Sequence, residues 1–218
     1  MTEVIILWDK PILLENLFKE YEISCRIVIP DALSAPHIGT AKMILLPAGF
    51  SSEYADSGFK TKLFKEKCVN KLIAFAENGG KLLIFSPLQD FDFSWLNLPI
   101  KYKREDIMVS AVSKTQTDAE QNLTAKQNPI AEPNPAAEQK TDPICLINQD
   151  DFFCDGFFEI PAPENSKIQI SIIETDHLNR PIHLSIPAGK GEIILSSIHE
   201  FLSKEYFDSL LVHQNVKI

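Results

Sequence analysis

Histidine and cysteine are the side chains here best suited to hold a metal ion, and their spacing does not favour a metal site. The sequence has five histidines and four cysteines: His37, His177, His183, His199 and His213, with Cys25, Cys68, Cys145 and Cys154. Zinc sites usually contain a Cys-x-x-Cys pair or two histidines four residues apart on a helix, and neither pattern occurs. We therefore expect no metal and no cofactor. The scattered cysteines predict free thiols in a reducing, cytoplasmic compartment.

The segment Gly189-Lys190-Gly191 could suggest a phosphate site, because glycine amides and a lysine ammonium both bind phosphate. The complete GxxxxGK[ST] pattern is absent, and the segment leads into a predicted strand instead of the N-terminus of a helix. A tight turn between two strands accounts for it better.

The first part of the chain alternates strands and helices. Continuous apolar runs, typical of strands buried on both faces of a parallel sheet, predict strands at 4–7, 43–46 and 82–85, and a further strand is predicted at 25–29. Asp9 and Pro11 begin a predicted helix, and a longer helix is predicted from about 59 to 77, ended by Asn78-Gly79-Gly80. This order predicts an α/β fold, a three-layer sandwich with a mostly parallel, flavodoxin-like sheet.

The pattern changes near the C-terminus. Strands are predicted at 168–173, 182–186 and 192–198, and we expect them to be antiparallel strands at one side of the sheet. Ser203 is expected to cap a closing helix whose apolar positions are Phe207, Leu210 and Leu211.

Residues 111–143 have an unusual composition, with no aromatic residue, no glycine and four prolines. Such a segment buries too little apolar surface to offset the entropy lost on ordering. We therefore predict one domain over residues 1–218, interrupted by a disordered insertion at about 111–143.

Charge and hydropathy argue against binding to nucleic acid and against insertion into a membrane. With 21 basic and 30 acidic side chains, the net charge is −9, which argues against nucleic-acid binding. No apolar run approaches the roughly 18 residues of a membrane span, and Glu3 at the start is not typical of a signal peptide.

Three segments, in this order, carry a resemblance to a known family: Met43 to Phe50 (MILLPAGF), Glu77 to Ser86 (ENGGKLLIFS) and Arg180 to Glu200, which contains GKGEIILSSIHE. Together they resemble the class I glutamine amidotransferase-like superfamily. The resemblance covers roughly everything outside the insertion and implies a flavodoxin-like fold. Non-catalytic relatives serve as interaction or oligomerisation domains, some of them attached to carbohydrate-processing enzymes and some in intraflagellar-transport proteins.

The resemblance also implies where a site would lie. In active members a cysteine nucleophile follows the strand after the double glycine, and the matching position here is Ser86, or else Pro87. A histidine with a nearby glutamate follows a late strand, which matches His199 and Glu200. The oxyanion loop matches Pro47-Ala48-Gly49, and Phe50 follows it directly. All three loops would leave the carboxyl ends of neighbouring strands, where ligands bind in such sheets.

The residues at this position depart from the active pattern. Pro87 has no amide hydrogen to donate to an oxyanion, a loss that typically costs about 3 kcal/mol of transition-state stabilisation. Proline also favours an extended Ser86, the flanking glycines are replaced by Ile84 and Leu88, and a serine needs a well-placed base more than a cysteine does. These departures predict a non-catalytic site. The alternative is a hydrolase or amide-transferring enzyme that uses Ser86 with His199.

Two aromatic clusters with interleaved acids stand apart from these motifs: Phe91, Phe93 and Trp95, then Phe152, Phe153, Phe157 and Phe158. They either cap the open edge of the core or form a partner surface. We expect a domain that binds a protein partner or a second copy of itself. A small molecule held near Gly49, Phe50, Ser86 and His199 is the other option.

Overall fold

The structure is a computed structural model that describes residues 2–34, 40–53, 55–110, 151–161, 168–198, 202–212 and 216–217. Seven strands form the central sheet: β1 Val4–Leu7, β2 Cys25–Val28, β4 Met43–Leu46, β5 Lys81–Phe85, β9 Ser171–Thr175, β10 Pro181–Ala188 and β11 Gly191–Ser196. Two short strands, β3 Thr40–Ala41 and β12 Val216–Lys217, pair with each other. A separate antiparallel sheet contains β6 Phe91–Asp92, β7 Lys101–Ser110 and β8 Asp151–Glu159.

The central sheet has the order β2-β1-β4-β5-β11-β10-β9. Strands β2, β1, β4, β5 and β11 run parallel, whereas β10 and β9 are antiparallel. Every residue of β1 and β4 is buried, as the continuous apolar runs predict. The predicted mostly parallel sheet with antiparallel strands at one side is thus confirmed. One assignment changes, because β11 is antiparallel to β10 but parallel to β5 and so also closes the parallel part of the sheet.

Helices cover both faces of the sheet: α1 Leu13–Glu20, α2 Ser57–Leu63, α3 Glu66–Glu77 and α4 Lys204–Leu211. Right-handed crossovers that leave β1 and β4 in opposite directions place α1 and α3 on opposite faces. Helix α4 packs beside α1 through Phe18 and Phe207, whose ring centroids are 4.9 Å apart. Ser203 caps α4 as predicted, since its hydroxyl accepts a hydrogen bond from the Tyr206 amide. The sheet with helices on both of its faces forms a three-layer sandwich.

The single helix predicted from about 59 to 77 is wrong. Lys65 adopts an extended conformation between α2 and α3, with φ −64° and ψ 135°. The break directs the ring of Phe64 toward Trp95, at a centroid distance of 5.2 Å, and toward Phe50 at 6.5 Å. Aromatic packing at this point stabilises two short helices over one long helix.

The segment Gly189-Lys190-Gly191 is the tight turn between β10 and β11. The Lys190 amide donates to the Glu77 carbonyl at the end of α3, at 2.8 Å. A Cβ atom on Gly191 would lie only 2.2 Å from the Gly80 carbonyl oxygen, so no larger residue fits there. The glycines of this motif therefore serve packing.

The β7–β8 hairpin is the main element that the sequence did not predict. The predicted insertion at 111–143 lies outside the described residues, and the hairpin provides the strands on either side of it. Ser110 and Asp151 are directly paired across the two strands.

Candidate functional site

Ser86 is the first residue after β5, at the carboxyl end of the parallel strands, and it is only 1% exposed. The Gly49 amide, in the loop after β4, donates a hydrogen bond to the Ser86 carbonyl oxygen at 2.7 Å. The structure therefore brings together two of the residues that the sequence selected, by a backbone contact that fixes the two loops to each other.

The Ser86 hydroxyl points into the protein. Its Oγ shares a hydrogen bond with the Tyr102 hydroxyl at 2.7 Å and accepts another from the Leu88 amide at 3.1 Å. Tyr102, on β7, is completely buried, and this burial is the main reason that its pKa lies well above the usual range. The phenol therefore stays protonated at physiological pH and cannot accept a proton from Ser86.

The backbone amides near Ser86 have other partners. Pro87 has none to offer, the Leu88 amide donates to the Ser86 hydroxyl, and the Gly49 amide donates to the Ser86 carbonyl. An oxyanion hole needs amide groups that converge on one unoccupied point. The backbone at Gly49, Pro87 and Leu88 therefore does not form an oxyanion hole.

Side chains fill the space between the two loops. Gly49 has φ +77°, and a Cβ atom there would lie 3.1 Å from Cδ1 of Leu88. Phe50 is completely buried and packs edge-on against Phe91, at a centroid distance of 5.4 Å. Neither Phe50 nor Ser86 presents a side-chain surface to solvent.

The β7–β8 hairpin covers this end of the sheet. Besides Tyr102 on β7, Cys154 on β8 forms an antiparallel bridge with Ile198, just beyond β11. The Asp155 amide donates to the Ser197 carbonyl at 3.0 Å. The hairpin is thus attached directly to the strand ends that form the ligand crevice in other open α/β sheets.

His199 and Glu200, the expected base and its orienting partner, lie outside the described residues. The last described residue before them is Ile198, which is 2% exposed. Their roles stay predictions.

Among the described residues, no group of three or more His, Cys, Asp or Glu side chains is arranged to hold a metal ion. Cys25, Cys68 and Cys154 are free thiols. Burial raises the pKa of Cys154 to about 12 and that of Cys68 to about 11, which makes both thiols poor nucleophiles at neutral pH.

A second buried polar cluster, which sequence reasoning missed, lies on β10, β11 and α4. His183 is completely buried, and its Nε2 lies 2.6 Å from the Tyr206 hydroxyl. Ser196 is its direct partner across the strands. Within the described part of the chain, His183 Nδ1 and the Ser196 hydroxyl have no hydrogen-bond partner. No local pattern marks a contact between residues so far apart in sequence.

The aromatic clusters have mixed environments. Phe93 and Phe158 are buried in the core, and Phe91 and Trp95 are half-buried against it. Phe153 differs, because it is 61% exposed beside Met108, its directly paired neighbour, which is also 61% exposed. Most of the described members therefore cap the core, whereas Phe153 lies on the surface. The side chain of Phe152 is outside the described residues.

Within the described residues, the structure contains no helix that is both long and apolar enough to span a membrane.

Comparison with known proteins gives distant structural matches only. No protein-family profile and no curated protein sequence matches the chain. An exo-β-1,4-mannosidase from Opitutaceae bacterium strain TAV5 aligns with 94% of this chain at 13% identity and a TM-score of 0.48. This chain spans about a third of the length of that enzyme and of the β-galactosidases that it also matches.

Two smaller proteins match over most of their length. The N-terminal domain of mmIFT52 aligns over 98% of this chain and 99% of its own, with 10% identity and a TM-score of 0.49. A ThuA-like protein from Bacteroides uniformis ATCC 8492 aligns over 96% of this chain and 87% of its own, with 10% identity and a TM-score of 0.36. These values indicate a distant likeness.

Proposed function

We propose that this chain is a non-catalytic member of the class I glutamine amidotransferase-like superfamily that acts by binding, in a protein-interaction or oligomerisation role. In this proposal residues 1–218 form one domain with an insertion at about 111–143. The observation that carries the proposal is the hydrogen bond between the buried hydroxyls of Ser86 and Tyr102. A nucleophile must reach its substrate, and this hydroxyl faces the protein interior.

Acyl transfer also needs a base and an oxyanion hole. The described neighbours of the Ser86 hydroxyl are a protonated phenol and an amide, and neither can accept its proton. The amide of Gly49 is already bonded to a carbonyl, and Pro87 has no amide hydrogen. Each deficit alone lowers a rate by orders of magnitude, and here they occur together.

Exposed apolar side chains support a binding role. Met108 and Phe153 lie side by side on the outer face of the β7–β8 hairpin, and Ile172 and Ile173 on β9 are 51% and 42% exposed. Adjacent exposed apolar residues are typical of interaction surfaces. Because Phe50 and Ser86 are buried, a macromolecular partner fits these surfaces better than a small molecule fits the strand ends.

The proposal includes the cytoplasmic location expected from the sequence. Its support is the free state of the three described cysteines, which suits a reducing compartment.

A fluorophosphonate probe tests the proposal. We expect the purified chain to show no label on Ser86, and the wild type and Ser86→Ala to hydrolyse p-nitrophenyl acetate and glutamine at the same background rate. Ser57→Ala, at an exposed serine of α2, is the matched control. A label on Ser86, or turnover that Ser86→Ala abolishes while Ser57→Ala retains it, overturns the proposal in favour of the hydrolase that uses Ser86 with His199.

A further inference from the structure

Within the described residues, strand β9 is the outer strand of the central sheet and pairs with β10 alone. Ile172 and Ile173, in the middle of β9, are 51% and 42% exposed. Residues 168–175 contain no lysine and no proline, the residues with which soluble proteins most often block pairing at an exposed edge. In the part of the chain that the structure describes, the outer side of β9 at Ile172 is therefore open to another strand.

The direction of the peptide groups can be derived from the pairing. The Ser197 amide donates to the Ile182 carbonyl oxygen, so the backbone N–H and C=O groups of Ile182 and of every second residue after it point toward β11. Those of Ser185 point the other way, toward β9. Ser185 is paired with Ser171 and Leu184 with Ile172. The N–H and C=O of Ile172 therefore point away from β10, toward the free edge. The register shift at His183 does not separate the Leu184–Ile172 pair from the Ser185–Ser171 pair, which are consecutive.

A second copy of this chain fits the edge. A two-fold axis perpendicular to the sheet keeps each side chain on its own face, so it can pair Ile172 with Ile172 of the second copy, with two reciprocal backbone hydrogen bonds. Ile173 then lies opposite Ser171, and Glu174 lies opposite Ile170. The carboxylate of Glu174 therefore does not lie opposite the Glu174 carboxylate of the second copy.

Charge also favours this edge for self-association. Each chain has a net charge of −9, so two copies repel each other over most of their surface. Residues 168–175 carry one charge, that of Glu174. Two copies can approach here with little repulsion, while the isoleucines supply apolar area.

We propose that two copies of this chain associate through β9 in an antiparallel pair centred on Ile172, which joins their two sheets into one. The pairing names the partner for the binding role proposed above and rests on that proposal. Because each copy uses its single β9 edge, the assembly closes as a dimer.

Sedimentation equilibrium of the full chain, at up to about 100 μM, tests the pairing. We expect the wild type to have twice the mass of one chain. Ile172→Lys and Ile172→Glu should each raise the dimer Kd about tenfold or more, because like charges then lie directly opposite each other. An equimolar mixture of the two variants should recover the dimer, because opposite charges then face each other.

Leu178→Lys and Leu178→Glu are the matched controls, since Leu178 is 58% exposed in the turn after β9. Both should remain dimers, and mixing them should change nothing. Circular dichroism confirms that each variant is folded. A monomeric wild type, a dimer that both Ile172 variants leave intact, a mass above that of a dimer, or a mixture that stays monomeric overturns the pairing. None of these outcomes involves Ser86, so a fluorophosphonate label there overturns the proposed function separately.

Discussion

The hydroxyl of Ser86 lies 2.7 Å from the hydroxyl of Tyr102, and both side chains are buried. This contact joins the end of the central sheet to the β7–β8 hairpin. It also occupies the hydroxyl that an acyl-transfer enzyme would keep free for its substrate.

The Ser86–Tyr102 contact should contribute to stability. Ser86→Ala leaves the Tyr102 hydroxyl buried without its partner, which typically costs about 1–3 kcal/mol of unfolding free energy. Tyr102→Phe should cost about 1 kcal/mol, because Ser86 keeps its bond to Leu88. The double variant should lose less than the two single losses combined. Urea unfolding measures all four proteins, and strictly additive losses would count against this coupling.

His183 should make the protein sensitive to acid. Burial lowers its pKa to about 3, whereas an unfolded histidine has a pKa near 6.5. Below pH 6.5 the unfolded state therefore binds the additional proton, and stability falls by about 1.4 kcal/mol per pH unit until the pH reaches the native pKa.

Urea unfolding between pH 7 and pH 5 measures this loss, in a range where most carboxylates stay ionised. The hydroxyl of Tyr206 lies 2.6 Å from His183 Nε2, and Glu174 is the residue paired with His183 on β9. We expect a loss of about 2 kcal/mol over this interval in the wild type and a flatter profile in His183→Gln. His177→Gln, at an exposed turn position, should keep the wild-type slope. Equal slopes in both variants would refute the assignment to His183.

Arg180 should stabilise the turn before β10. Its Nε donates to the fully buried carboxylate of Asp176 at 2.7 Å, its Nη1 pairs with Glu105 at 2.8 Å, and its guanidinium lies 4.2 Å from the ring centroid of Phe157. Arg180→Ala should cost about 2 kcal/mol, and Arg180→Lys about half of that, because an ammonium lacks the planar fork.

The matched control for Arg180 is Lys204→Ala. Lys204 pairs with Asp208 at 2.8 Å on the exposed surface of α4, where water screens the ion pair, so its loss should cost much less than the loss of Arg180. Thermal unfolding ranks the three variants. Similar losses of stability in Arg180→Ala and Lys204→Ala would show that burial does not strengthen the contacts of Arg180.

Gly191 should tolerate no side chain. A methyl group there would meet the carbonyl oxygens of Gly80 and Ala76, at 2.2 and 2.4 Å, and backbone cannot move aside easily. We expect Gly191→Ala to cost about 3 kcal/mol or more, whereas Lys190→Ala, at the exposed tip, should stay within about 0.5 kcal/mol of the wild type. Denaturant midpoints measure both, and a harmless Gly191→Ala would show that the turn can relax.

Local sequence patterns predicted the parallel strands and the cap at Ser203 well, because each signal lies within a few residues. The β7–β8 hairpin could not be predicted in this way. Strand β7 carries four successive charges, Lys103 to Asp106, and its pairing with β8 is irregular between Arg104 and Ile107. Its order comes from distant contacts, such as that of Tyr102 with Ser86.

At the candidate site, too, local features could be predicted from the sequence and distant contacts could not. Pro87 follows Ser86 directly, so the missing amide hydrogen could be predicted from two letters of sequence. The burial of Ser86 depends on Tyr102, sixteen residues away, and on a hairpin whose strands are separated by 111–150. Neither contact leaves a local signal.

The pairing of Ser110 with Asp151 means that β7 ends and β8 begins at neighbouring points. Antiparallel partners lie about 5 Å apart, a gap that a two-residue turn spans. An Asn-Gly linker in place of residues 111–150 is therefore long enough to join β7 directly to β8. This junction is a natural place to graft a fluorescent reporter or an affinity tag.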